Sequence, residues 1–127
     1  MKMVALVIDD DVLNIEVLVH LLKREGVDTL SLKCPDQLPE FVKSVADVEV
    51  IFLDLEFPDT NGFNIIKDLR NSPHLGNVPI VAYSVHISEI ERARREGFDS
   101  FLGKPLRSTE FPHQLQRILN HEGVWEV

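Results

Sequence analysis

Apolar residues along the chain fall into two alternating kinds of run. Short unbroken runs at 3–8, 50–53 and 80–83 have the length and composition of strands covered on both faces. Between them lie stretches whose apolar positions recur every three or four residues. In 12–25, Ile15, Leu18 and Leu22 form one helical face and Gly26 supplies a stop. In 108–121, Phe111, Leu115, Ile118 and Leu119 do the same, with Pro112 awkward beyond a first turn. The stretch 35–45 is weaker, because Pro35 and Pro39 interrupt an apolar set of Leu38, Phe41, Val42 and Val45. Strands at 29–32 and 100–102 and helices at 62–71 and 87–96 complete five strand–helix units, and such alternation predicts a parallel sheet.

The same pattern orders the strands. The first, third and fourth are continuously apolar, as central strands are. The second alternates through Thr29, Leu30, Ser31, Leu32 and Lys33, and the fifth is very short, so both are expected at edges. This predicts a doubly wound α/β fold with five parallel strands in the order 2-1-3-4-5. In that order the crossovers leave strands one and three in opposite directions and open a crevice at their carboxyl ends.

Those carboxyl ends carry the chemistry. Asp9-Asp10 follow strand one, Asp54 closes strand three, Ser84 follows strand four, and Gly103-Lys104-Pro105 follow strand five. Three crowded carboxylates repel one another and tend to hold their protons unless a cation compensates. Oxygen ligands without His or Cys suit Mg²⁺, with Asp10 and Asp54 the natural direct ligands beside a backbone carbonyl. Lys104 can hold a phosphoryl oxygen, or pair with Asp54 in its absence, and Ser84 offers a hydroxyl donor. Such a site can move a phosphoryl group onto Asp54 without a general base, because the carboxylate is already the nucleophile.

Composition narrows the field further. The 127 residues, 44% of them hydrophobic, suffice for one domain with a core. A net charge of -8 opposes direct nucleic-acid or anionic-lipid binding. Cys34 is the single cysteine, so no intrachain disulfide forms, and no apolar run approaches a membrane span. With no signal-like start, a cytoplasmic location without membrane insertion is expected.

In order and spacing, Asp9-Asp10, Asp54 with Pro58 and Gly62, Ser84, and Lys104-Pro105 resemble the receiver domains of two-component response regulators, over essentially the whole chain. The resemblance implies a flavodoxin-like fold, with a receiver domain at 1–121 and a short C-terminal tail at 122–127. A single-domain response regulator, with nothing else fused to the receiver, is expected. It implies that Asp54 accepts a phosphoryl group from a phosphohistidine, and that Asp10, Asp54 and the Glu56 carbonyl bind Mg²⁺ while Asp9 holds a metal-bound water. Lys104 would bind the phosphoryl group, Ser84 would be the switch hydroxyl, and Phe101 the aromatic that rotates inward behind it. Partners implied are a sensor histidine kinase or histidine phosphotransfer protein and a downstream protein target. The only catalysis expected is the domain's own phosphorylation and dephosphorylation.

Plainer readings stand beside these. Asp9 and Asp10 can be a solvated strand end with Asp11 as helix cap, although their register with Asp54 and Lys104 favours the functional reading. Gly62 is expected to meet a backbone turn, and Val85 to narrow access to the site. His20, His74, His86, His113 and His121 lack ligand spacing and are expected as solvated surface residues. Leu13, Val17 and His20 make the first helix apolar nearly all round, which fits a dock for a phosphodonor helix. The fourth helix has only Ile87, Ile90 and Ala93 to anchor it, beside Arg92, Arg94 and Arg95, and is expected to shift and to serve dimerisation or partner binding. Trp125 either folds back on the domain or meets a partner. Competing functions are a phosphorylation-independent module on the same fold and a hydrolase with an aspartyl-phosphate intermediate. The second needs an Asp-x-Asp motif that Asp54-Leu55-Glu56-Phe57 does not match.

Overall fold

A computed structural model describes residues 3–44 and 47–127. The strands are β1 (Met3–Ile8), β2 (Val27–Leu32), β3 (Val50–Asp54), β4 (Ile80–Ser84), β5 (Ser100–Gly103) and β6 (Trp125–Glu126). The helices are α1 (Val12–Arg24), α2 (Leu38–Ser44), α3 (Gly62–Arg70), α4 (Ile90–Arg95) and α5 (Phe111–Leu119). All strands are parallel and lie in the order β2-β1-β3-β4-β5-β6. The order 2-1-3-4-5 is therefore present, with one strand added.

That addition corrects the expectation that the fifth strand is an edge. Residues from the segment expected as a tail turn back, and Trp125 and Glu126 pair with Phe101 and Leu102. The turn is held by Phe101 N–H donating to the Val124 carbonyl at 2.7 Å and by Val124 N–H donating to the Ser100 hydroxyl at 3.0 Å. Trp125 thus folds back on the domain. Its signal in the sequence was too short to read, because two residues carry no periodicity.

The unbroken apolar strands serve two cores. Ala5, Val7, Phe52, Val81 and Tyr83 face α1 and α5, while Leu6, Ile8, Ile51, Leu53 and Ala82 face α2, α3 and α4. Successive side chains alternate between faces, so both faces must be apolar. In α1, Ile15, Leu18, Leu21 and Leu22 are buried, Asp11 caps the N-terminus through the Leu13 and Asn14 amides, and Gly26 leaves the helix at φ 76°. Proline shortens two helices from the expected spans: Pro35 opens a 3₁₀ turn before α2, and Pro112 lies in the first turn of an α5 that starts at Phe111. Leu38 is buried, Phe41 and Val42 pack against the same core, and Val45 lies outside the described residues.

Gly62 is needed for close packing, which corrects the expected backbone turn. A Cβ there would lie 2.7 Å from the Asp54 carbonyl oxygen and 2.9 Å from Leu55 Cδ2, with φ outside the left-handed region. The start of α3 therefore rests directly on the end of β3, tied by Gly62 N–H donating to the Leu55 carbonyl at 2.9 Å. Gly62→Ala is expected to lower stability by about 1–3 kcal/mol through overpacking. Because the strain falls on the Asp54 backbone, amide chemical shifts at Asp54 to Glu56 should move more than those of β1.

Candidate functional site

The parallel order brings the ends of β1, β3, β4 and β5 to one side of the sheet. Asp9, Asp10 and Asp54 place carboxylate oxygens within 4.8 Å of one another, with Asp9 and Asp54 buried and Asp10 exposed. Lys104 Nζ lies 3.4 Å from both Asp9 Oδ2 and Asp54 Oδ1. The loop bearing Lys104 is fixed to β4 by its own N–H, which donates to the Ser84 carbonyl at 2.9 Å. Asp54, Glu56, Ser84, Val85 and Lys104, with Asp11, Asn14 and Pro105, line a crevice of about 400 Å³. Every acid, hydroxyl and ammonium singled out in the sequence is thus assembled here.

The electrostatics are dominated by burial. Loss of solvent pushes the Asp54 carboxyl up to about 7, Lys104 pulls it back, and the charge on Asp9 pushes it up again. One ammonium does not balance three acids. The donor set, oxygen-only and short of positive charge, is what a hard divalent cation needs, and the triad could hold one.

Three further residues complete the geometry. Ser84 is buried and its Oγ accepts the His86 N–H at 2.9 Å, which leaves the hydroxyl proton free to donate elsewhere. His86 is exposed, as expected of a surface histidine, and pairs through Nε2 with Glu56, which lines the crevice. Val85 is 62% exposed and is among the residues that line the crevice. His20, His74, His113 and His121 are exposed.

Tyr83 and Asn14 were missed. The Tyr83 hydroxyl donates to Asp9 Oδ2 at 2.5 Å, and burial together with the negative charge of Asp9 pushes its pKa far above the usual range. A tyrosine ending a buried strand was itself a signal, since its hydroxyl must find a partner. Phe101, expected to rotate inward, is already fully enclosed in the core, with β6 paired alongside its strand.

Comparison with known proteins settles the lineage. The family model described as response regulator receiver domain matches residues 5–116. The chain belongs to the receiver domain family. Among curated relatives, the receiver is 30% identical over 118 residues to two-component response regulator ORR12 of Oryza sativa subsp. japonica, covering 91% of this chain and 94% of that one. It is 29% identical to Protein RcaC of Microchaete diplosiphon, of whose length it spans only 19%. Among solved structures, the receiver domain of sensor histidine kinase PA1611 from Pseudomonas aeruginosa PAO1, described with a magnesium ion in its active-site cleft, superposes with a TM-score of 0.82 at 20% identity. That match covers 94% of this chain and 99% of that one. Family membership places this receiver in two-component signalling. No helix among the described residues is long and apolar enough to cross a membrane.

The raised Asp54 value has a consequence for the metal-free receiver. Its folded-state value of about 7 lies above the ordinary 3.8, so the fold keeps a proton that the unfolded chain has lost between these limits. Stability therefore falls as pH rises through that window and stays low above it. Asp54→Asn is expected to raise the metal-free melting temperature at pH 8 by about 5 °C. The gap should narrow towards pH 4, and added Mg²⁺ should raise the melting temperature of the wild type alone.

Proposed function

We propose that this receiver is a phosphorylation-controlled switch of a two-component phosphorelay, with Asp54 as phosphoacceptor. The observation that carries the reading is the Asp54 carboxylate itself: buried at the end of β3, shared with Lys104 at 3.4 Å, and opening onto the crevice. In transfer from a phosphohistidine, an Asp54 oxygen forms a bond to phosphorus as the phosphorus–nitrogen bond breaks, and the freed imidazole takes a proton from solvent. Lys104 moves from its shared position onto a phosphoryl oxygen. Ser84 donates its free proton to another.

Asp10, Asp54 and the Glu56 backbone carbonyl would hold Mg²⁺ directly, and Asp9 through a water. When bound, the ion supplies positive charge for the triad and for the phosphoryl oxygens. Asp54 acts only when ionised, so compensation of its raised pKa by a cation is part of the reaction. Hydrolysis returns the free carboxylate, as water attacks phosphorus and the phosphorus–oxygen bond to Asp54 breaks. The Glu56–His86 pair flanks the approach of that water.

The surfaces around the crevice fit this cycle. Val12, Leu13 and Val17 on α1 are 45%, 71% and 51% exposed, and form the apolar side on which a kinase or phosphotransfer helix would dock. On the other side, α4 is six residues long and buries only Ala93 fully, so recruitment of Ser84 by the phosphoryl group can shift it and alter the surface offered to a downstream target or a second copy. A phosphorylation-independent module would have no use for so complete an acidic set.

Incubation with a small acyl phosphate and Mg²⁺ should yield a single phosphoryl adduct by intact mass, absent with EDTA and in Asp54→Asn. Failure with both that donor and a phosphohistidine donor would sink the proposal. Val17→Glu should slow transfer from the cognate phosphohistidine donor by about tenfold or more, while labelling by the small donor stays unchanged.

A further inference from the structure

Tyr83 has no part in the scheme above, yet it touches two of its members. Its side chain leaves β4 on the α1/α5 side, where Phe52 of β3 meets its ring edge-on at 6.4 Å and 89°. From there the hydroxyl crosses above β3 and reaches Asp9 Oδ2 at 2.5 Å. Lys104 Nζ lies 4.4 Å from the centre of the same ring and 3.4 Å from the same oxygen. Tyr83 is 1% exposed, so water cannot take over either contact.

The acceptor positions of Asp9 are nearly used up. Its Oδ1 accepts the Asp11 N–H at 2.9 Å, and Oδ2 accepts both Tyr83 and Lys104. A carboxylate has about four such positions, so most are occupied and the group is held in a fixed orientation. Lys104, meanwhile, stands equally far from Asp9 and Asp54. Were the tyrosine hydroxyl absent, Asp9 Oδ2 would be left with the ammonium as its one strong partner, and Lys104 would be drawn away from Asp54.

We propose that Tyr83 is a positioning residue of the phosphoryl site: its hydroxyl orients the Asp9 carboxylate and its ring face holds the Lys104 ammonium within reach of Asp54. The role rests on the phosphoacceptor reading given above and extends it to a residue on the sheet's other face. Tyr83 touches neither cation nor phosphoryl group. It acts through Asp9 and Lys104 alone.

The test uses Tyr83→Phe, which keeps the ring and removes the hydroxyl. Titration of unphosphorylated protein with Mg²⁺, followed by amide NMR, should show about tenfold weaker binding than wild type, and labelling by a small acyl phosphate should slow in parallel. In an Asp9→Asn background the same change should have no added effect, as expected if the tyrosine acts through that acid. Tyr83 is the chain's one tyrosine, so its ultraviolet resonance Raman bands in wild type read the hydroxyl directly, and saturating Mg²⁺ should shift them. This measurement decides the matter even if the variant fails to fold. Binding and labelling within twofold of wild type, an equal loss in the Asp9→Asn background, or Raman bands indifferent to Mg²⁺ would each overturn the role. A wild type that binds Mg²⁺ but takes no phosphoryl group would overturn the phosphoacceptor reading instead, and one that binds no Mg²⁺ would overturn both.

Discussion

Two carboxylates and one ammonium held largely out of water at the end of a parallel sheet, with a third acid beside them in solvent, are the constraint around which this domain is arranged. Removing such charges from solvent is costly, and the attraction of Lys104 for two acids returns only part of it. The fold accommodates the excess locally. Asp9 is hydrogen-bonded on both oxygens, Asp54 is driven towards its neutral form, and Asp10 remains in solvent. Each acid thus sits in a different environment, even the neighbours Asp9 and Asp10 that follow the same strand.

That arrangement also orders the chemistry. Asp9, with the most donors, is the least free to move, while Asp54, held by Lys104 and the Glu56 N–H at 3.4 Å each, is the acid proposed to react. Its backbone is pinned from below by the start of α3, where no Cβ fits. Rigidity in the main chain and imbalance in charge coincide at one residue, which suits the phosphoacceptor role proposed for it.

Most of this was legible in the sequence because the signals were redundant. Strand order followed from which runs were unbroken, and the site from four strand ends whose polar residues had no reason to be there singly. What escaped was of two kinds. Two-residue β6 lies below the length at which periodicity exists, so Trp125 gave no clue to its pairing partner. Contacts decided by three-dimensional direction were the other kind: the exposed His86 pairing with Glu56, Tyr83 reaching Asp9 over an intervening strand, and the exposed Arg94 lying over Trp125 at 4.4 Å. Gly62 was recognised as structural but for the wrong reason, since a glycine required by a neighbour looks in sequence like one required by a turn.

Glu126 on β6 takes hydrogen bonds from Gln114 at 2.8 Å and Arg117 at 3.0 Å, so the added strand is bolted to α5 as well as to β5. The two margins of the sheet are in consequence unlike. On one side the ladder ends in two residues, too few to template another chain; on the other, β2 presents six residues with no strand beyond them among the described residues. Of the two margins, β2 thus offers the longer run of backbone groups to a neighbouring strand, and the pairing of β6 covers the β5 edge that the five-stranded core would leave open.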